Sequence, residues 1–434
     1  MKVPKPADLK WFLAAALILA VAFALKAGLI AYAMYALLAV LVLSRLMTYL
    51  WLSGIECTRE LDRSEMNIGD EVAVIATVKN TRPWPIPWLF IEETIPEKCP
   101  VRGDRAKLVM LMPEQTTTLL YQVRFNQRGY YQIGPLVMES GDVFGLYRRF
   151  KLGKSREYVT VYPHVHVISE FQIGARRPQG SVRFANRIYE DPTRIRGVRE
   201  YVSGDSLRRI HWKASAATGR WQSKVYEPSR VIGATVALDF HVDGYRGKVW
   251  WQRSELAVTT AASLAYYIFQ AREQIGFFTN GRDAAERAGA RRMAATTVTR
   301  ETAHHVASLK ERMDQLRPFQ VETRRSEAQG LRILESLARA ELTDGLTIDR
   351  MLVSETEHIR RDAALLVVVP AVTPELELAF AMLKSSGFSI TVFVIMNQEE
   401  FVRVEAMLAS DGIEVFHVER PTDLREIVTG KVYM

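Results

Sequence analysis

The sequence predicts a multidomain protein: an N-terminal transmembrane helical hairpin, a β-sandwich, then an α/β doubly wound domain. Three observations predict it. Residues 11–43 form an apolar run whose only charge is Lys26. Residues 55–163 carry short alternating segments separated by Gly and Pro. From residue 231 onward, nearly continuous apolar runs alternate with helical segments. A length of 434 residues suits two or three domains with cores of their own. The net charge of +8 and a pI of about 9.3 fit an anionic membrane surface or an acidic protein patch. There is no helix-turn-helix or zinc-finger spacing and no aromatic signature of a single-strand binder, so no nucleic-acid partner is expected. Two cysteines, Cys57 and Cys99, make neither a Cys-rich zinc site nor a disulfide framework and read as free thiols.

Residues 1–54 read as the membrane anchor. A spanning helix needs about 20 apolar residues. The apolar run is too long for one ordinary span, and Lys26-Ala27-Gly28 interrupts it where a tight turn belongs. Two helices of about 11–25 and 28–52 are therefore predicted, with Arg45 snorkelling and Tyr49 and Trp51 at the interface. Lys2, Lys5 and Lys10 precede the first span, and Arg45, Arg59 and Arg63 accompany or follow the second. The positive-inside rule then places both ends, and all the soluble domains, in the cytoplasm of a plasma-membrane multi-pass protein. A single tilted span is the alternative, and it would put those domains outside.

Residues 55–165 read as an immunoglobulin-like β-sandwich of about seven short strands. Glu71 to Lys79 alternates with period two after an Asn67-Ile68-Gly69-Asp70 turn. Thr81 to Trp88 holds three prolines and reads as a loop that is not a central strand. Further strands are expected at 89–94, 107–112, 116–125, 130–133, 136–140 and 158–162. Trp84 and Trp88 read as cover for the sandwich edge, with a binding surface as the alternative, and Asp142 as an Asx-turn residue.

Residues 166–230 lead into the last domain and contain a block that no simple period explains. Its key residues are Arg199, Tyr201, Gly204, Asp205, Arg208, Arg209, Ile210, Trp212, Lys213, Ala214 and Gly219. Gly204-Asp205 suits a turn that caps a short helix, with Asp205 as N-cap and with Ile210 and Trp212 buried. Arg199, Arg209 and Lys213 either pair with Glu200, Asp205 and Glu227 or bind an acidic partner or phosphate. This block resembles the bacterial membrane-anchored proteins grouped as domain of unknown function 58. The glycine-bearing segments Gln127 to Pro135 and Ser140 to Leu146 resemble that family too.

Residues 231–434 read as the α/β domain, with strands at 231–240, 274–279, 363–369, 389–396 and 414–418. Helices are expected at 256–271 and 331–342. Residues 281–328 read as a basic, solvated insertion, including the pair His304-His305. The strand order looks like a von Willebrand factor A-type domain, the fold the resemblance implies for this part. Such domains often carry an Asp-x-Ser-x-Ser metal-dependent adhesion site. Here the matching segment is Asp239-Phe240-His241-Val242-Asp243, with His241 and Asp243 in place of both serines. Asp239, His241 and Asp243 are thus candidate ligands of a divalent metal. No Walker A, G-x-S-x-G or H-E-x-x-H sequence occurs, and no catalytic residue or organic cofactor is expected.

Two functions are expected from different classes. The first is a membrane-tethered, non-enzymatic adaptor or scaffold. Its resemblance to the family implies a MoxR-type AAA+ ATPase as partner, in envelope or protein-complex assembly. The second is a metal-dependent hydrolase or adhesion protein using the Asp239, His241 and Asp243 loop.

Overall fold

The computed structural model describes residues 17–18, 20–21, 28–96, 99–145, 147–168, 188–202, 210–230, 233–286, 318–360 and 363–425. The chain divides into two compact units: residues 1–161 with 286–312, and residues 162–285 with 313–434.

In the first unit, α1 (Gly28–Ser53) is one uninterrupted helix. Its stretch Tyr32–Ser53 is long and apolar enough to cross a membrane. The predicted span at 11–25 lies almost wholly outside the described residues, so α1 accounts for one helix of the expected hairpin. The helix ends against the sandwich. Gly54 accepts bonds at 2.8 Å from the Thr81 N–H and from its hydroxyl. A Cβ at Gly54 would lie 2.0 Å from Arg82 Cγ, so a larger residue there would displace the exposed Arg82 side chain.

Among the described residues eleven strands follow: β1 (Ile55–Leu61), β2 (Glu65–Asn67), β3 (Glu71–Asn80), β4 (Ile86–Glu93), β5 (Val101–Gly103), β6 (Ala106–Leu111), β7 (Thr116–Arg124), β8 (Gly129–Ile133), β9 (Leu136–Gly141), β10 (Arg148–Leu152) and β11 (Glu157–Tyr162). They form sheets of order β1-β3-β7-β5, β10-β9-β4-β6 and β2-β11-β8 around one core. Strand β3 shows the expected alternation. Val72, Val74, Ala76 and Val78 are fully buried, and Ile75 on the other face is exposed.

The proline-rich segment departs from its expected loop. Strand β4 starts at Ile86, includes Pro87 and Trp88, and lies inside its sheet between β9 and β6. The β4–β6 register shifts between Ile86 and Leu89. That irregularity accommodates a residue with no N–H to give the ladder. Trp84 packs at the core margin, and Trp88 Nε1 donates to Asp142 O at 3.4 Å. Cys57 and Cys99 are free thiols.

A charged pair sits inside this sandwich. Arg59 and Glu93 meet at 2.6 Å with no solvent exposure of either side chain. Arg59 also donates to Ser155 O at 2.9 Å. Burial pushes the Glu93 carboxyl up, and Arg59 pulls it back down. Gly134 makes room for the pair, since a Cβ there would sit 2.4 Å from an Arg59 nitrogen.

The second unit starts with a two-stranded ribbon, β12 (Ile188–Glu200) and β13 (Gln222–Arg230), with α2 (Trp212–Thr218) between them. Its main sheet holds β14 (Ala234–Leu238), β15 (Ile275–Thr279), β17 (Phe319–Arg324), β19 (Ala364–Val369), β20 (Ile390–Val394) and β21 (Glu414–His417). A short pair, β16 (Arg282–Asp283) and β18 (Ala340–Glu341), lies apart from it. The helices are α3 (Trp250–Gln270), α4 (Gln329–Arg339), α5 (Ile348–Ser354), α6 (Pro374–Ser385) and α7 (Gln398–Ser410).

The main sheet runs β17-β15-β14-β19-β20-β21, parallel except for β17. Val236, Leu238, Leu366 and Val368 face α3 and α4 on one side. Ala237, Leu365, Val367 and Val392 face α5, α6 and α7 on the other. Apolar runs without alternation mark strands covered on both faces, which is why β14 and β19 are legible as core strands.

The antiparallel edge strand β17 falls inside the predicted solvated insertion, which is therefore strand at 319–324. Its Thr323 shares a 2.8 Å hydroxyl bond with Thr235 of β14. Gly276 of the intervening β15 leaves the gap, because a Cβ there would meet Thr323 Oγ1 at 2.2 Å. Residues 287–317, with His304 and His305, lie outside the described residues.

Candidate functional site

The sheet order reverses direction between β14 and β19. In open α/β sheets, ligands bind beyond the strand carboxyl ends at such a point. Asp239 stands there, directly after β14, and is 6% exposed. Its carboxylate accepts from Asn280 Nδ2 at 2.9 Å and from the His241 N–H at 3.1 Å. Asn280 follows β15, accepts from the Phe240 N–H at 2.6 Å, and donates to Leu346 O at 3.0 Å. The Tyr245 hydroxyl donates to Asp239 O at 2.7 Å. One asparagine thus ties the ends of two strands to the loop after β18.

Burial pushes the Asp239 carboxyl up to about 6, against the opposing pull of Asn280 and His241. A buried acid with a raised pKa at a switch point marks a functional-site candidate. The loop after it is fixed as well. Val242 N–H donates to Thr343 O at 2.8 Å, and the Thr343 N–H to Phe240 O at 3.1 Å. Gly244 comes so close to Pro370 that a Cβ would lie 2.3 Å from its ring. Arg253 of α3 donates to Pro370 O at 2.8 Å and Ile395 O at 2.7 Å, satisfying carbonyls beyond β19 and β20.

The three residues predicted to share a metal are not gathered around one point. Asp239 turns inward to Asn280. Asp243 is mostly exposed and pairs with Arg246, which holds its carboxyl below the usual range. His241 Nδ1 accepts from the Asp243 N–H at 3.3 Å and acts as a local cap. Among the described residues, no group of three His, Cys, Asp or Glu side chains is placed to hold a metal ion. Asn280 and Tyr245, which shape the site, went unread in the sequence. The Asn280-Gly281 dipeptide directly after an apolar run was the available signal.

The ribbon and α2 carry the other candidate surface. Gly204, Asp205, Arg208 and Arg209 lie outside the described residues. Helix α2 is capped by His211, whose Nδ1 accepts from the Ala214 N–H at 3.0 Å, and the cap predicted at Asp205 lies outside the described residues. Gly219 closes the helix with φ of 68°. Ile210 is buried as expected, at 2% exposure. Trp212, expected in the core, is 68% exposed, because the first turn of α2 presents it outward and no residue of this short helix is buried.

Trp221 is 56% exposed and meets Tyr201 edge-on at 5.6 Å between ring centres. Glu200 pairs with Arg220 at 3.3 Å, and Arg199 donates to the Glu200 carbonyl at 3.3 Å. Lys213 makes no ion pair among the described residues. Of the acids expected in an ion network here, Glu200 pairs with Arg220. Trp212, at the start of α2, and Trp221, just after it, are thus both exposed, and each has a cation next to it in sequence, Lys213 and Arg220.

Known proteins share parts of this chain. The uncharacterized protein YeaD of Bacillus subtilis (strain 168) is 24% identical over 255 residues, covering 57% of this chain and 62% of YeaD. The chain therefore matches less than two thirds of that relative. Among solved structures, the CARDB domain of a Pyrococcus furiosus protein, in complex with di-metal ions, is 15% identical. It covers 25% of this chain and 91% of that domain, with a TM-score of 0.19. A FixG-related protein from Vibrio parahaemolyticus is 11% identical and covers 24% of this chain and 96% of its own, with a TM-score of 0.18. Residues 197–384, from the ribbon through α6, match the family described as Protein of unknown function DUF58.

Proposed function

We propose that this chain is a membrane-tethered, non-enzymatic adaptor that docks a protein partner through the ribbon and α2. It is multi-pass, with both soluble units in the cytoplasm, as the flanking lysines and arginines favour. The carrying observation is the exposure of Trp212 and Trp221 beside Lys213 and Arg220. Large indoles held out among cations have the composition of interface hot spots, and exposed apolar patches of this kind mark interaction sites. The partner proposed is a MoxR-type AAA+ ATPase engaged in envelope or protein-complex assembly, as the resemblance implies. The main sheet's strand order, 3-2-1-4-5-6 counted within the sheet, is the doubly wound order, and its antiparallel third strand fits the von Willebrand factor A-like reading that the resemblance implies.

Both indoles are surface groups, so Trp212→Ala/Trp221→Ala is expected to melt like the parent. Binding of full-length protein in nanodiscs to a purified MoxR-type ATPase is expected to weaken at least ~10-fold, as loss of about 1.4 kcal/mol at a hot spot gives. Unchanged binding by the folded variant contradicts the docking surface.

One observation favours a second reading, metal-dependent hydrolysis or adhesion at the switch point: the buried, high-pKa Asp239. That reading requires stoichiometric metal in purified full-length protein. It also requires a rise in melting temperature with Mg²⁺, Mn²⁺ or Zn²⁺. Failure of both sinks it.

A further inference from the structure

The turn between β9 and β10 runs beside the membrane helix. Tyr147, just before β10, packs into a small cluster with Met34, Leu38 and Leu41 of α1. Arg149 of β10 sets its guanidinium 4.9 Å over the Tyr49 ring. At 1.5 Å per residue, Leu41 lies about 18 Å and Met34 about 28 Å along α1 from Ser53. A bilayer's hydrocarbon core is about 30 Å thick. With the membrane surface at Ser53, Tyr147 would lie deep in lipid with Arg148 and Arg149 beside it. Charges at that depth are strongly disfavoured. A surface nearer Arg45 and Tyr49, where guanidinium and phenol groups suit the headgroups, keeps Arg149 at the headgroups and brings Leu41 to about 6 Å below them, so that Tyr147 itself reaches into the lipid. The last turns of α1 then form a stalk outside the bilayer, and Trp51 and Leu52 join the sandwich core.

The turn is built to hold its tip outward. The Asp142 carboxylate accepts from the Phe144 N–H at 3.0 Å and the Tyr147 N–H at 2.6 Å. The Asp142 N–H donates to Tyr147 O at 3.1 Å, and Gly145 takes φ of 73°. Val143 and Phe144 stand at the tip, 71% and 63% exposed. Arg148 follows, with a mostly exposed side chain that reaches Glu139 at 3.4 Å.

We propose that this turn is a membrane wedge: Val143 and Phe144 insert into the interfacial zone of the bilayer that α1 crosses. Arg148 and Arg149 lie at the headgroups, where basic groups gain from anionic lipid. Two contacts, the helix and the wedge, then fix the tilt of the sandwich on the membrane. The proposal rests on α1 spanning the bilayer.

The test uses full-length protein in anionic liposomes with an environment-sensitive fluorescent amino acid at one position per sample. The positions are Tyr35 in the span, Val143 at the tip and Thr118 on the outer sheet face. Quenching by lipid nitroxides at known depths is read for each. The wedge predicts deep quenching at Tyr35, shallow quenching at Val143 several-fold above Thr118, and a blue shift at Val143. Quenching at Tyr35 with Val143 equal to Thr118 overturns the wedge and leaves the span standing. Absence of quenching at Tyr35 overturns the spanning helix and the wedge with it.

Discussion

Arg59→Ala is expected to destabilise the sandwich by about 3–5 kcal/mol, the range for removing one partner of a buried ion pair. The Arg59 and Glu93 side chains are both shielded from water at 2.6 Å. Without the guanidinium, Glu93 keeps its desolvation penalty and loses the group that offsets it. The carboxyl then titrates still higher. An acid with a raised folded pKa contributes stability that is fully present below its unfolded pKa and lost as pH rises through the folded value. The damage of Arg59→Ala is therefore expected to be largest at neutral pH and to shrink toward pH 4. Glu93→Gln in the same background is expected to recover part of the loss, since it removes the stranded charge. Denaturation of the sandwich, followed by hydrogen exchange in β3 and β7, reads both effects. A loss from Arg59→Ala that stays the same from pH 4 to pH 7.5 contradicts this assignment.

Asp239→Asn is expected to stabilise the α/β unit at neutral pH. The Asp239 carboxyl is lifted from 3.8 to about 6 by burial. That displacement corresponds to about 3 kcal/mol. Because the folded value is the higher one, the contribution is fully present below pH ~4 and lost as pH rises through about 6. At pH 7.5 the carboxylate is ionised inside the unit, and an amide in its place carries no such penalty. An Asn oxygen can still accept from Asn280 and the His241 N–H. The variant is expected to be more stable than the parent at pH 7.5 and little different at pH 4. Hydrogen exchange of β14 and β19 across that range is the measurement. Lower stability at both pH values would show that the carboxylate itself holds the strand ends together. A group kept at a cost in stability is the usual mark of a site under functional demand.

The coarse architecture was legible where local pattern and burial agree. The apolar run from Gly28 onward, whose one charge is Arg45, reads as a membrane-length helix and is one. The period-two pattern of Glu71 to Lys79 reads as a one-face-buried strand and is one. Apolar runs such as Ala364 to Val369 read as core strands for the same reason. Legibility failed where distant groups decide the outcome. Strand β17 carries Glu322 and Arg324 because an edge strand wets one side, and those charges hid it in a basic stretch. The β12–β13 ribbon contains Pro192 and Pro228, which argue against a strand until its irregular register is known. Composition places Trp212 in a core, but one turn of a short helix decides which way it points. Asp239 was recognisable as an acid at a strand end. Its orientation depends on Asn280, 41 residues away, and no local pattern shows that.

The proposed adaptor role stands or falls with Trp212 and Trp221 as a partner-docking surface. Affinity capture of the full-length protein from its native membranes tests it most directly, with wild type beside Trp212→Ala/Trp221→Ala. Co-purifying proteins are identified by mass spectrometry. A AAA+ ATPase is expected with wild type and is expected to be depleted at least ~10-fold with the folded variant. Equal recovery with both proteins, or a wild type that retains no partner while carrying stoichiometric metal, would contradict it.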